Sequence, residues 1–315
     1  MIRILKRSKP FIAILFCLLP LSLLSINVHA NCIGVVTAGG GVDFWQHIEN
    51  GAIQAGRDLN YRVIVRGPMN ESDTRSQALI IDQMLDFGCK ALVVAPNDEQ
   101  HLQKIQSLAE QGIPTVFVDR DPGGARVSAI RTKNIDAGRL AGKEMATQLS
   151  AQSKVAVFRL DPKLSTTTER ETGFIEEMKK AGIEVVVDEY IGSDISKASL
   201  KAYELLTLHP EIEGLFTPNE STTLAALNMR RRLPQGENII HIGFDTHPIF
   251  IEEIKSGFLA AIIIQTPFHM GYTAVKHALE TLKGNHPPDK LFTPAVLISK
   301  ENIYTDKIKN TLAGR

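Results

Sequence analysis

Acidic, basic and amide side chains recur directly after short apolar runs along this chain, and they are the residues with chemistry to offer. Asp119 and Arg120 follow Thr115-Val-Phe-Val118, Asp245 follows the run from Ile239 to Phe244, and Gln265 follows Ala260 to Ile264. Asn219 and Glu220 lie just beyond Gly214-Leu-Phe216, and Arg170 closes the Thr166–Arg170 segment after Val155-Ala-Val-Phe158. The first run, Ile33-Gly-Val-Val36, leads into Thr37-Ala-Gly-Gly-Gly41 and then Asp43-Phe44-Trp45. Carboxylates accept paired hydrogen bonds from vicinal hydroxyls, while Arg, Asn and Gln offer donors in fixed planes. An aromatic ring covers the apolar face of a sugar-like ring. Brought together, Phe44, Trp45, Asp119, Arg120, Arg170, Asn219, Asp245 and Gln265 suit a neutral polyol. The Asp119–Arg120 neighbourhood would keep buried charge paired.

Each residue has a plainer use as well. Asp119 and Asp245 can serve as helix caps or turn residues. Aromatic residues most often fill a core, but adjacent helical positions point about 100° apart, so Phe44 and Trp45 are not expected to share one buried stripe. At least one of them is expected to face a ligand. Gly39 to Gly41 resemble a phosphate-cradling turn, yet the Lys-Ser/Thr ending of a P-loop and the spacing of a dinucleotide fingerprint are missing. They read as a flexible entry to the first helix. No Ser-His-Asp grouping, nucleophile elbow or metal motif is evident, so neither catalysis nor a cofactor is expected.

Residues at strand ends need a scaffold that sets those ends side by side. Strands are expected at 33–36, 62–65, 91–94 and 115–118, alternating with helices at 43–59, 75–87 and 101–111. The pattern then restarts, with strands at 155–158, 184–187, 214–216, 239–244 and 260–264 and helices at 168–180, 195–208, 221–232 and 248–256. A last helix over 270–283 and the tail around Leu297 have to join one of these units. Strands this short and continuously apolar belong in parallel sheets covered on both faces. The fold class is therefore α/β, two doubly wound parallel sheets in tandem, with ligands beyond the carboxyl ends of the strands. No Ser, Gly or Pro linker separates the units, which fits several hinge strands rather than one tether.

The 315 residues, 43% of them hydrophobic, suffice for about two domains. The 35 basic and 35 acidic side chains cancel, so no charge surplus points to nucleic acid. Residues 1–30 read as a signal peptide, with Arg3, Lys6, Arg7 and Lys9, an apolar stretch from Phe11 to Leu24, and Val28-His-Ala30 at the cleavage position. The apolar stretch is short for a membrane span and is broken by Pro20. An exported, periplasmic location follows, and it makes Cys32 and Cys89 a candidate disulfide. They precede strands one and three, neighbours in the order 2-1-3-4-5 and close enough for a bridge. Aligning Thr37 with Ala95, however, leaves the two cysteines one step out of register, which would turn their thiols to opposite faces.

Several segments in order carry a resemblance. They are Phe44-Trp45, the stretch from Gly112-Ile-Pro to Asp119-Arg120, Arg170-Glu-Thr-Gly-Phe174, the stretch from His209-Pro-Glu to Asn219-Glu, Ile242-Gly-Phe-Asp245, and Gln265-Thr-Pro with Met270-Gly-Tyr272. The chain resembles periplasmic solute-binding proteins of the ribose-binding, lac-repressor-like type from Ile33 to about Ile298. The resemblance implies ligand contacts at the eight residues named above. It also implies three crossings between lobes, near Lys133-Asn134, Gln265-Thr266 and Leu291–Pro294. Residues 31–133 plus 267–292 would form one lobe, and 134–266 plus 293–315 the other. Implied partners are a small sugar-like ligand and an inner-membrane ABC permease, or alternatively a sensor kinase or chemoreceptor, with the receptor itself a monomer. Pentose-binding members often carry Asn at the place of Ala95, an aromatic at Ser193 and Asp at Lys133, and some relatives have a second arginine at Thr168. These departures imply a larger or differently shaped cavity.

Overall fold

A computed structural model describes residues 31–40 and 43–312; the expected signal peptide and Gly41 of the glycine turn lie outside the described residues. The first half runs β1 (Cys32–Val36), α1 (Asp43–Asp58), β2 (Arg62–Arg66), α2 (Thr74–Asp86), β3 (Cys89–Val94), α3 (His101–Glu110), β4 (Thr115–Val118), β5 (Ser128–Thr132). It continues with α4 (Asn134–Gln148), β6 (Lys154–Arg159), α5 (Ser165–Ala181), β7 (Glu184–Tyr190), α6 (Ile195–Leu208), β8 (Gly214–Phe216) and α7 (Glu220–Arg230). The last part is β9 (Ile240–Phe244), α8 (Pro248–Ser256), β10 (Ala261–Ile264), α9 (Pro267–Leu282), β11 (Lys290–Thr293), β12 (Val296–Ser299) and α10 (Asp306–Leu312).

The strands form two six-stranded sheets with the same plan, β11-β5-β4-β3-β1-β2 and β12-β10-β9-β8-β6-β7. All pairings are parallel except β10 with β12. The doubly wound α/β expectation is met. Inner strands such as β1, β3 and β4 are buried along almost their whole length, because helices cover both sheet faces. The edge strand β2 has both ends exposed.

Between Thr132 and Asn134 the chain leaves the first sheet for α4, which packs on α5. It returns after Ile264 into α9, which packs on α1 and on β3, β4 and β5. It crosses again between β11 and β12, which belong to different sheets. Sequence periodicity does not reveal β5, α4, β11, β12 or α10. β5 mixes Ser128, Arg131 and Thr132 with apolar residues, and α4 buries the small residues Ala137, Gly138, Ala141 and Gly142 instead of a large apolar stripe. Two helices also begin three residues earlier than expected. α5 starts at Ser165, and α9 starts with Pro267 in its first turn, where proline lacks only an N–H that would be unpaired anyway.

Each unit is clamped by a helix pair meeting backbone to backbone. A Cβ on Gly138 would lie 1.9 Å from the Arg170 carbonyl oxygen, and one on Gly173 2.1 Å from that of Ile135. Gly138→Ala therefore pushes α4 away from the helix that carries Arg170. We expect it to cost about 1–3 kcal/mol of stability, the range for overpacking. Urea denaturation measures this, and an unchanged midpoint would contradict the close contact.

Cys32 and Cys89 are bonded to each other, with Cα atoms 4.2 Å apart. Along β1 and β3 the pairing runs Ile33 with Ala91 up to Val36 with Val94, which by itself would set Cys32 opposite Lys90. A register shift between Cys32 and Ile33 instead brings Cys32 opposite Cys89. That irregularity removes the one-residue mismatch seen in the sequence.

Candidate functional site

The carboxyl ends of the two sheets face a small cavity of about 30 Å3. All eight residues singled out from the sequence line it: Phe44, Trp45, Asp119, Arg120, Arg170, Asn219, Asp245 and Gln265. Phe44, Trp45, Asp119 and Arg120 come from the first unit, and the others from the second or from its exit at Gln265.

Asp119 and Asp245 are placed alike. Each is the residue after a buried strand, β4 or β9, and each has a left-handed backbone, with φ of 66° and 68°. Aspartate tolerates that conformation better than most residues with a side chain. Neither is the N-cap residue of a helix. Their backbone N–H groups donate to Ile130 and Ile263 on the neighbouring strands, fixing both residues at the sheet ends. Asp245 accepts from Gln265 Nε2 at 2.6 Å and from the Glu220 backbone N–H at 3.3 Å. Asp119 has Arg120 Nε at 3.8 Å, while its Oδ1 is buried without a partner. Burial pushes both carboxyls above the usual carboxylate range, against the pull of Arg120 and Arg170 on Asp119 and of Arg170 on Asp245.

The arginines are held by side chains that carry no motif. Arg120 donates to Asn97 Oδ1 at 2.7 Å and to Glu71. Asn97 is fixed by Ala38 O and by Gln77, which also donates to Thr37 O and Ala95 O, tying the ends of β1 and β3 together. Arg170 donates to Asn134 Oδ1 and Pro218 O, both at 2.9 Å, and lies 3.9 Å from the centre of the Phe244 ring. Burial lowers the Arg170 pKa from its ordinary value. Gln265 accepts from Thr132 Oγ1 at 2.7 Å, and Thr132 lies 3.3 Å from Thr293 Oγ1. One hydrogen-bonded chain thus links Asp245 to all three segments that pass between the sheets.

Phe44 and Trp45 form an edge-to-face pair with centroids 4.9 Å apart. Both are buried and both belong to the first unit's core, while both also line the cavity. The start of α1 is covered on more than one side, by the sheet and by the facing unit, so a 100° difference in direction still ends in protein. Trp45 Nε1 donates to Glu71 Oε1 at 2.7 Å.

Asn219 has a structural use as well as a place in the cavity wall. It is the N-cap of α7, accepting from the Thr222 backbone in a capping box, while still lining the cavity. Of the positions where the sequence departs from pentose binders, Lys133 precedes α4 as its N-cap residue and Thr168 donates to Leu164 O. Glu71 is the residue that sequence reasoning missed. It sits in the loop between β2 and α2 and touches Trp45 and Arg120, but no strand end or motif marks it.

Among the described residues, no group of three or more His, Cys, Asp or Glu is placed to hold a metal, and no helix is long and apolar enough to cross a membrane. The arrangement can bind and orient hydroxyls. It presents acceptors from both sheets, fixed donors, and an aromatic wall.

The sequence matches the family described as periplasmic binding protein domain over residues 33–286. It is 26% identical to the ribose import binding protein of Bacillus subtilis, over 81% of this chain and 82% of that one. The fold is similar to the periplasmic component of an ABC-type sugar transport system from Hahella chejuensis, with TM-score 0.81 and 29% identity, covering 85% of this chain and 99% of that one. It is similar as well to an ABC transporter solute binding protein from Agrobacterium vitis bound with α-D-tagatopyranose, with TM-score 0.84 and 26% identity, covering 89% and 98%.

Proposed function

The chain belongs to the periplasmic binding protein family, and on that premise we propose that it is a periplasmic receptor that encloses a sugar or similar polyol and delivers it to an ABC importer. It is a binding protein and not an enzyme. The observation that carries this reading is the pair Asp119 and Asp245, equivalent strand-end carboxylates from two sheets that face one buried cavity. Ligand contact is assigned to Phe44, Trp45, Asp119, Arg120, Arg170, Asn219, Asp245 and Gln265. Residues 31–133 plus 267–292 and residues 134–266 plus 293–315 act as two lobes that part to admit ligand and close over it. The small size of the cavity supports such an opening, since a sugar cannot enter a space of about 30 Å3 without movement. A membrane sensor kinase or chemoreceptor could read the same liganded form, and binding of the liganded receptor to purified permease or to a sensor's periplasmic domain separates the two.

Thermal-shift measurements on the mature protein against monosaccharides, polyols and small signalling furanoses test the proposal. A ligand at a hundred times its Kd adds roughly 2.7 kcal/mol of stability. The same titration is expected to change the emission of Trp45, the only tryptophan in the sequence, whose indole N–H and ring contact Glu71 and Arg120. Failure of every sugar and polyol to raise the melting temperature would remove the function. A stabilising ligand that left Trp45 emission unchanged would remove this residue from the contact set.

A further inference from the structure

The cleft has a second compartment, a cavity of about 120 Å3 that shares Phe44, Trp45, Glu71 and Asp245 with the first. Its charged lining is Glu71, Glu220 and Asp245, and among the described residues no Lys, Arg or His lines it. The two guanidiniums of the cleft already pair with two of these carboxylates, Arg120 with Glu71 and Arg170 with Asp245 at 3.8 Å, which leaves Glu220 without one. The two compartments together carry the carboxylates Glu71, Asp119, Glu220 and Asp245 against the guanidiniums Arg120 and Arg170.

Glu220 gives the clearest sign that a counter-charge is missing. It is only 3% exposed, and its Oε2 has no hydrogen-bond partner. It lies beside the start of the first unit's α1, where the backbone of Asp43 and Phe44 favours its charged form. Burial, with Asp245 and Asp43 nearby, pushes its carboxyl up to about 8. Asp119 Oδ1 is likewise buried and unpartnered in the adjoining compartment. Without a cation the Glu220 carboxyl stays largely protonated near neutral pH; an arriving cation would favour its charged form, whereas the hydroxyls of a neutral sugar supply hydrogen bonds but no charge.

We infer that this compartment receives the ammonium group of the ligand, which is therefore an amine-bearing polyol such as an amino sugar or aminocyclitol. The inference rests on the proposed sugar-binding function and narrows it. An ammonium has three donors and no acceptor, which suits a compartment lined by Glu71, Glu220 and Asp245. Phe44 and Trp45 supply the aromatic walls that cations favour. Glu71 is the specificity-determining residue, since it adds a carboxylate to the Asp and Arg pairs of the cleft and bridges Trp45 to Arg120.

Isothermal titration of the mature protein with D-glucosamine, D-galactosamine and D-mannosamine tests this, each beside its parent hexose and its N-acetyl derivative at one ionic strength. At least one free amine is expected to bind tenfold or more tightly than both neutral counterparts. In Glu71→Gln that preference is expected to shrink at least fivefold, whereas a merely structural role for Glu71 would weaken all members alike and keep the ratio. Equal or tighter binding of the neutral hexose overturns the inference and leaves the sugar-receptor function standing. Binding by neither series also overturns it, and the function falls with it only if the wider neutral screen fails too.

Discussion

Replacing Cys32 and Cys89 together by serine is expected to lower the stability of the mature protein by up to about 4 kcal/mol. The bridge spans 57 residues, and the chain-entropy model for a loop of that length gives roughly this value as an upper limit. Both cysteines are buried, and the clusters around them include Val36, Ile81, Met84 and Leu92. Urea unfolding of the wild type and the double variant, each at one protein concentration, measures the difference. The bridge sits at the amino ends of β1 and β3, opposite the carboxyl ends that form the cleft. Ligand affinity, measured below the unfolding transition, is therefore expected to stay the same. Two reactive thiols per chain in the denatured, unreduced protein would end the idea, and so would equal stability of the two forms.

The strand order made this pair legible in the sequence, but the register did not. Counting residues back from Thr37 and Ala95 gives a mismatch, because counting assumes an unbroken ladder. The irregularity between Cys32 and Ile33 depends on the bond and the packing around it, which no local pattern encodes. The same division runs through the cleft. Asp119, Asp245 and Gln265 were legible because each directly follows an apolar run, and parallel sheets put such positions side by side. Asn97 lies near a strand end too, yet its use in aligning Arg120 depends on the reach of a side chain from another strand. Glu71 had no such address. It lies in Gly67-Pro-Met-Asn-Glu-Ser-Asp73, which reads as an ordinary polar turn, and only the fold brings it beside Trp45 and Arg120.

Elements with mixed composition were lost for a related reason. β11, Lys290-Leu-Phe-Thr293, is a four-residue edge strand without the continuous apolar run of an inner strand. β12, although apolar at Val296-Leu-Ile298, is a four-residue edge strand that pairs antiparallel with β10, outside the strand–helix alternation. α4 packs through small residues on α5, and small residues give little periodic signal although a Cβ on Gly138 would lie only 1.9 Å from the Arg170 carbonyl oxygen. What the sequence shows well is therefore burial by large apolar side chains. Close backbone approach and long side-chain reach emerge only from the assembled fold.

Asp119→Asn and Asp245→Asn are each expected to weaken ligand binding by about 2 kcal/mol or more, roughly a thirtyfold rise in Kd. Asparagine is the informative replacement because both sites have positive φ, which Asn tolerates nearly as well as Asp. Alanine would remove the same acceptor and add backbone cost, so its effect should be at least as large. The two aspartates differ in what they leave behind. Asp245 is already held by Gln265 and by the Glu220 backbone, so its loss also frees the network that runs through Thr132 to Thr293. Asp119 leaves only Arg120 at 3.8 Å, and its free Oδ1 is the acceptor a ligand hydroxyl or ammonium would complete. Burial raises both carboxyls in the folded protein, so in the absence of ligand each opposes stability increasingly as pH rises above the unfolded value of about 3.8. The asparagine variants are accordingly expected to lose ligand affinity while keeping, or slightly gaining, ligand-free stability near neutral pH. Calorimetric titration with a ligand found in the thermal screen, paired with urea unfolding of the same samples, separates these effects. Wild-type affinity in both variants would show that the ligand lies elsewhere, and a loss of stability matching the loss of affinity would make the aspartates structural.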